Sequence, residues 1–269
     1  MRRFVILGHK VPLEATFSLN DLPGGAGRLD VLCRAIGASL FVSHGIRSDV
    51  EAILLLQNTA QIRIAGDRVK RLNPDERSTA ALIKRALDAL SDEEVQSTPG
   101  IFVSRRSLPE TLDRLHQLEA NPVVLHEGGT PVDAFSFPRN PAFVLSDHVD
   151  FTEEEDRELG AFPHVSLGEK PLHTSQCITI MHYLLDQREE AVDQDLKLCH
   201  IVSGEPKARL ISNLLEDFDI PVNLVTHVPP SVLPVTFDGL ADVRIMVRPR
   251  DFERAQQIIT DYFESPIDD

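Results

Sequence analysis

The chain of 269 residues lacks most of what would mark a secreted, membrane-bound or phosphate-loop protein. Its three cysteines, Cys33, Cys177 and Cys199, stand far apart and form no C-x-x-C, which excludes a disulfide framework or a thiol redox motif and favours a reducing cytoplasm. No run approaches the about 18 consecutive apolar residues of a membrane span. "MRRFVILG" carries two arginines, but its apolar run ends at Gly8 and gives way to His9, Lys10 and Glu14, so it reads as a first strand rather than a leader.

The glycine-rich stretch "LNDLPGGAGRLDVLCR" also fails the two common phosphate-loop templates. A Walker loop needs Lys and Ser or Thr after its last glycine, where this chain has Arg28 and Leu29. A dinucleotide fingerprint needs a third glycine where Asp30 stands. Two readings remain, a turn leading into a helix or a site where Arg28 meets an anion. Ser146 has no G-x-S-x-G around it, so a nucleophile elbow is excluded.

Positive charge is scarce. The net charge is −15, and it is unevenly spread: residues 1–110 sum to plus 2, residues 111–185 to minus 8 and residues 186–269 to minus 9. An acidic chain is a poor candidate for gripping nucleic acid, since phosphate contacts need clustered Lys and Arg, but the near-neutral first segment leaves that role open. A protein from a high-salt cytoplasm would carry a similar surplus of carboxylates.

What is present is a regular alternation. Phe4–Leu7 reads as a strand, "RLDVLCRAIGASLFVSHGI" has helical spacing, and "VEAILLLQ" and "QIRIAG" read as two strands. "LNPDERSTAALIKRALDAL" is the clearest helix, with Pro74 at its start and Asp75 and Glu76 in its first turn. "GIFVS" is a strand and "SLPETLDRLHQLEA" a helix. Two strands that run into turns follow, "PVVLHEGG" and "PAFVLSDHVD". The acidic helical "TEEEDRELG", a loop "HVSLGEKPLHT" and a closing helix "SQCITIMHYLLDQ" complete the first part. The pattern predicts an α/β domain with a largely parallel sheet over residues 1–188, its ligands beyond the carboxyl ends of the strands. The charged connector "DQREEAVDQD" marks a boundary, and residues 195–269 follow as β-α-β-β-α, the order of a small α+β ferredoxin-like domain.

Several polar groups admit two readings each. Asp147-His148 is either an acid/base pair at a strand end or simply chain turning into solvent. Asp75, Glu76 and Arg77 either cap a helix or, through Asp75 and Arg77, face a polar substrate. His173, Cys177 and His182 are grouped, with His173 and Cys177 on one helix face, but no third ligand stands at a zinc spacing, and no metal is expected.

The segments "NDLPGGAGRLDVLCR", "VSHGIRSDV", "NPDERSTAALIKRAL", "STPGIFVSRR", "VVLHEGG", "FVLSDH" and "VSLGEKPLHTSQCITIMHYLLD" resemble, in order, the archaeal tRNA pseudouridine-54 N1-methyltransferases of the TrmY type, in the SPOUT superfamily. The resemblance covers residues 1 to about 187. It implies a parallel-sheet fold with a C-terminal trefoil knot, a homodimer, S-adenosylmethionine as methyl donor, and tRNA as partner, with pseudouridine 54 of the T-arm as target. Leu125, Ser146, Cys177, Leu167 and Leu172 are then expected around the donor, Ser146 standing where many members have the glycine of a G-D-H motif. Asp75 and Asp30 are expected to accept the N1 proton or orient the base. Arg28 and Arg77 are expected at the uracil carbonyls or nearby phosphates, and Lys10, Arg34, Arg47, Arg105 and Arg106 along the RNA backbone. Pseudouridine in ribosomal RNA, as in a related SPOUT family, is the alternative substrate, and a catalytically idle donor-binding regulator is the alternative from another class. The tail is similar to small signal-transducing ferredoxin-like domains, which implies docking, dimerisation or sensing.

Overall fold

Strand β1 (Arg2–Gly8) is buried along its whole length, the mark of a strand covered on both faces. It belongs to a computed structural model that describes residues 1–194, 196–226 and 242–264 and divides into two compact units, Met1–His182 and Tyr183–Asp269. After β1 a long loop delivers helix α1 (Leu29–Leu40). The helical spacing stops earlier than the sequence predicts: Phe41 is extended, and Phe41–Val42 (β2) pairs with Gly45–Ile46 (β3) as a small hairpin. Strands β4 (Val50–Leu56) and β5 (Ala60–Ala65) are joined through Gln57 and Asn58, both at positive φ (48° and 47°), the backbone hand of a tight hairpin turn.

Helix α2 (Glu76–Asp88) is capped by Asp75, whose carboxylate accepts the Ser78 N–H at 2.7 Å. Strand β6 (Val95–Thr98) follows, a polar edge strand without the apolar alternation that would have made it visible in the sequence. Strand β7 (Ile101–Arg105) leads to helix α3 (Leu108–Gln117), which starts on a capping box between Ser107 and Glu110. Strands β8 (Asn121–Pro131) and β9 (Pro141–Ser146) precede helix α4 (Glu153–Leu159), started by a second capping box of Thr152 and Glu155. The segment expected as a plain loop before the closing helix contains a three-residue strand, β10 (His164–Ser166). Helix α5 (Thr174–Gln194) runs on through the charged connector, of which Asp195 lies outside the described residues.

The sheet has the order β10-β8-β9-β1-β4-β5-β7-β6. Its first five strands are parallel neighbours, and β5, β7 and β6 extend it antiparallel, so the largely parallel sheet of the sequence reading is in fact mixed. The reason is the short turn after β4, which permits only an antiparallel partner. On one face Val5, Leu7, Ile53, Leu55 and Val144 pack against Leu108 and Leu115 of α3 and Leu159 of α4. Each such side chain contributes about 1.5–3 kcal/mol on burial.

In the second unit β11 (Lys197–Ser203), α6 (Glu205–Glu216), β12 (Val222–Thr226), β13 (Asp242–Val247) and α7 (Phe252–Glu264) follow the expected β-α-β-β-α succession. The three strands form an antiparallel sheet in the order β11-β13-β12. Val202, Ile211, Leu215, Val243, Ile245, Val247 and Ile259 fill its core. The sequence reads "IPVNLVTHV" as the second strand of this unit, and its last two residues, His227 and Val228, lie outside the described residues.

Candidate active site

The glycine-rich loop is fixed by backbone sterics. Gly27 has φ 61°, and a Cβ there would stand 1.9 Å from the Lys10 carbonyl oxygen, so no other residue fits against the chain leaving β1. Arg28 follows with φ 64° and ψ 33°, a left-handed conformation that costs a side-chain-bearing residue about 1–2 kcal/mol. The turn aims its guanidinium at Asp30: Nε donates to Oδ1 at 3.0 Å and NH2 to Oδ2 at 3.2 Å.

Asp30 also accepts from Arg34 at 2.8 Å, and Arg34 reaches across to Glu76 at 3.0 Å, tying the start of α1 to the start of α2. The two guanidiniums hold the Asp30 carboxyl below its ordinary range against the opposing effect of burial. Asp75 is likewise held down, by the Ser78 backbone N–H, and Arg77 donates to the side-chain carbonyl of Asn20 in the glycine-rich loop. Arg28, Asp30, Asp75 and Arg77 thus stand at the neighbouring N-terminal ends of two helices.

A second group forms where β8, β10 and α5 meet. Leu125, His126, Glu127, Val165, Leu167, Gly168, Lys170, Leu172 and Cys177 line a cleft. Gly129 makes the approach of β8 to β10 possible, because a Cβ there would stand 2.6 Å from backbone atoms of His164 and Val165. Gly168 has φ 124°, and the position its Cβ would take is empty to 4 Å. Apolar walls of Leu125, Val165, Leu167, Leu172 and Cys177, with His126, Glu127 and Lys170 beside them and open backbone on one side, suit a flat ligand with a polar edge. Burial pushes the Cys177 thiol up to about 11, so it stays neutral and serves as a soft wall rather than a nucleophile.

Four of the five residues expected around a donor, Leu125, Leu167, Leu172 and Cys177, line this cleft; Ser146 does not. Its hydroxyl turns back to the Val149 carbonyl, and its own carbonyl accepts from the Thr174 hydroxyl at 2.8 Å. It is not among the residues with positive φ, so a serine costs no backbone strain here. The grouping of His173, Cys177 and His182 separates, since His173 precedes α5. His173 is exposed, whereas His182 is buried, taking a hydrogen bond from Arg2 and giving one to the Ser39 carbonyl. Among the described residues no three His, Cys, Asp or Glu are arranged to hold a metal ion.

Sequence reasoning missed His9. Its Nδ1 lies 2.9 Å from Asp147 Oδ1 and its Nε2 3.1 Å from Glu155 Oε2, so both ring nitrogens donate and the ring is an imidazolium. These carboxylates, Asp147 foremost, raise its pKa from 6.5 to about 9. Asp147 is therefore bound chiefly to His9, and its other close histidine is its sequence neighbour His148, at 3.4 Å. The available signal was a polar residue directly after each of two buried strands, β1 and β9. Of the arginines expected along RNA, Arg34 is tied to Asp30 and Glu76, and Arg105 sits 3.4 Å from Asp92.

The family model described as "Putative SAM-dependent RNA methyltransferase" matches residues 1–190. The tRNA (pseudouridine(54)-N(1))-methyltransferase of Haloferax volcanii is 46% identical over 192 residues, covering 69% of this chain and 96% of that protein. Its namesake in Halobacterium salinarum is 48% identical, with the same two coverages, and that of Methanocella arvoryzae is 44% identical, over 70% and 100%. Among solved structures, Archaeoglobus fulgidus Nep1 bound to S-adenosylhomocysteine aligns with a TM-score of 0.49 at 17% identity, over 69% of this chain and 97% of that one.

Proposed function

Because the chain belongs to the tRNA (pseudouridine(54)-N(1))-methyltransferase family, we propose that it transfers a methyl group from S-adenosylmethionine to N1 of pseudouridine 54 in the T-arm of tRNA. The observation that carries this is identity of 44–48% across nearly the full length of three relatives. Pseudouridine is joined to its ribose through carbon, so N1 keeps a proton and becomes a nucleophile on losing it. The donor supplies a methyl group already activated on a sulfonium. The protein has to position, exclude water and take a proton.

The cleft of Leu125, Leu167, Leu172 and Cys177 suits the donor: these walls are apolar, His126, Glu127 and Lys170 add polar groups, the thiol is neutral, and the open space at Gly168 lets a ligand meet backbone. Arg28 and Arg77 hold the uracil carbonyls or an adjoining phosphate. Asp30, already shared by two guanidiniums, orients them. Asp75 is exposed and ionised, its Oδ1 held by the Ser78 N–H, and its carboxylate accepts the N1 proton and passes it on to water.

We read the first part, residues 1–188, as a SPOUT domain with a trefoil knot. Supporting a knot, the chain leaving β9 passes β8 to reach β10 at the sheet edge, then returns so that Thr174 donates to the carbonyls of Ser146 and Asp147. Family resemblance favours a cytoplasmic homodimer. Residues 195–269 are read as a ferredoxin-like docking domain. It lies beyond the family match, and its charge of minus 9 with the connector included argues against a grip on RNA.

Labelled methyl donor and tRNA transcripts that carry either pseudouridine or uridine at position 54 test the reading. Label should enter only the pseudouridine transcript. Equal labelling of both, or of neither, overturns it.

A further inference from the structure

The end of β1 and the end of β9 are fastened together by one side chain. His9 donates from its backbone N–H to Asp147 Oδ2 at 3.0 Å and from Nδ1 to Oδ1 at 2.9 Å, while Val149 N–H donates to Oδ1 at 2.9 Å. The Asp147 carboxylate is 1% exposed, so these donors replace the water it has lost. From Nε2 the same ring reaches Glu155, which closes the capping box at the start of α4. On the backbone side the Asp147 carbonyl accepts from the Thr174 hydroxyl at 3.1 Å, and Thr174 begins the helix that carries Cys177 one turn later. A continuous set of bonds therefore runs from His9 through Asp147 to the helix that walls the cleft.

We propose that His9 is a positioning residue for the methyl-donor cleft, its imidazolium holding the turn after β9 in place so that Thr174 can anchor the start of α5. This rests on the reading of that cleft as the donor site. The charged groups facing the ring are Asp147 and His148 from the turn after β9, and Glu155 with its neighbour Glu154 from α4. Lys10 follows in sequence, and Arg28 at the start of α1 feels the Asp147 charge. Carboxylates dominate, and they favour the charged ring.

The ring's pKa lies above its unfolded value, so its contribution is complete below about 6.5 and is lost as pH rises through about 9. Gln at position 9 can donate one of the two side-chain hydrogen bonds but carries no charge and does not titrate.

The test compares the full-length wild type with His9→Gln and His9→Lys, following S-adenosylhomocysteine binding by calorimetry from pH 6.5 to 10. Amide exchange of residues 146–149 and 174–177 is followed without ligand. In the wild type, affinity should fall on the alkaline side with a midpoint near pH 9. His9→Gln should bind about 10-fold more weakly at pH 7.5, with no alkaline fall and with faster exchange in both segments. His9→Lys should recover part of the affinity and move the fall to higher pH. Wild-type affinity and exchange in His9→Gln would overturn the proposal. Faster exchange in His9→Gln with no ligand bound by the wild type at any pH would overturn both the donor-cleft reading and the role proposed for His9. Unchanged exchange together with wild-type binding removes His9 alone.

Discussion

Arg28 holds Asp30 with two hydrogen bonds, at 3.0 and 3.2 Å, from a left-handed backbone that it shares in this loop only with Gly27. The pair is stretched over two residues at the first turn of α1, where no side chain caps the helix. A strained residue whose charged end stays half in solvent suits work on an outside partner. Arg28→Ala should therefore lower methylation of tRNA by about 10–100-fold, the worth of a charge-assisted hydrogen bond, with donor affinity unchanged. Single-turnover rates and calorimetry separate the two. Loss of donor affinity would assign the loop to the donor instead. Arg28→Gly should be as inactive yet at least as stable, because glycine relieves the backbone.

Gly27→Ala probes the fold of the same loop. Its Cβ would collide with the Lys10 carbonyl at a φ of 61°, and backbone cannot yield as a flexible side chain would. A loss of about 3 kcal/mol is expected from the combined clash and strain, read as a drop in the denaturation midpoint at unchanged slope. A midpoint within about 0.5 kcal/mol of wild type, the range of ordinary surface substitutions, would show that the loop is free to move away.

Gly129→Ala acts on the other group. Pushing β10 away from β8 displaces Val165 and widens the cleft without touching Arg28 or Asp75. S-adenosylhomocysteine binding should weaken by about 10-fold or more, a loss of roughly 1.4 kcal/mol. tRNA binding, measured by filter retention, should stay the same. The reverse pattern would exchange the roles given to the two groups.

Much of this was legible in the sequence wherever the signal is local. The buried run of β4, the helix start at Asp75 and the helices that follow Ser107 and Thr152 each rest on neighbours within a few residues. What escaped depends on distant partners. Strand β10 is three residues long and exists because Gly129 admits it, 35 residues earlier than His164. The antiparallel extension was hidden because a strand's own pattern does not give its neighbour's direction. In the sequence His9 only marks the end of the first apolar run, and the parallel pairing of β1 with β9 is what brings it to Asp147. Resemblance to a family supplied the donor residues, and the geometry that gathers four of them was not readable from spacing.

Asp147 gives the last prediction, on the acid side. Hydrogen bonds from His9 and Val149 hold its carboxyl below the ordinary value although burial pushes the other way. A group whose folded pKa is depressed stabilises the fold above its unfolded pKa, about 3.9 for aspartate, and that contribution disappears as pH falls through the folded value. Asp147→Asn removes the charge that His9 answers while keeping the shape. It should cost about 2–4 kcal/mol at pH 7, since it leaves a buried imidazolium with one carboxylate in place of two. The gap between mutant and wild type should start to narrow as pH drops below about 4, where the aspartate of the unfolded chain begins to bind a proton, and should go on narrowing until the folded carboxyl protonates at lower pH. It should narrow again on the alkaline side as His9 loses its proton near pH 9. Urea unfolding of both proteins from pH 3 to 10 measures the gap, and a difference independent of pH would show that packing rather than charge holds this turn.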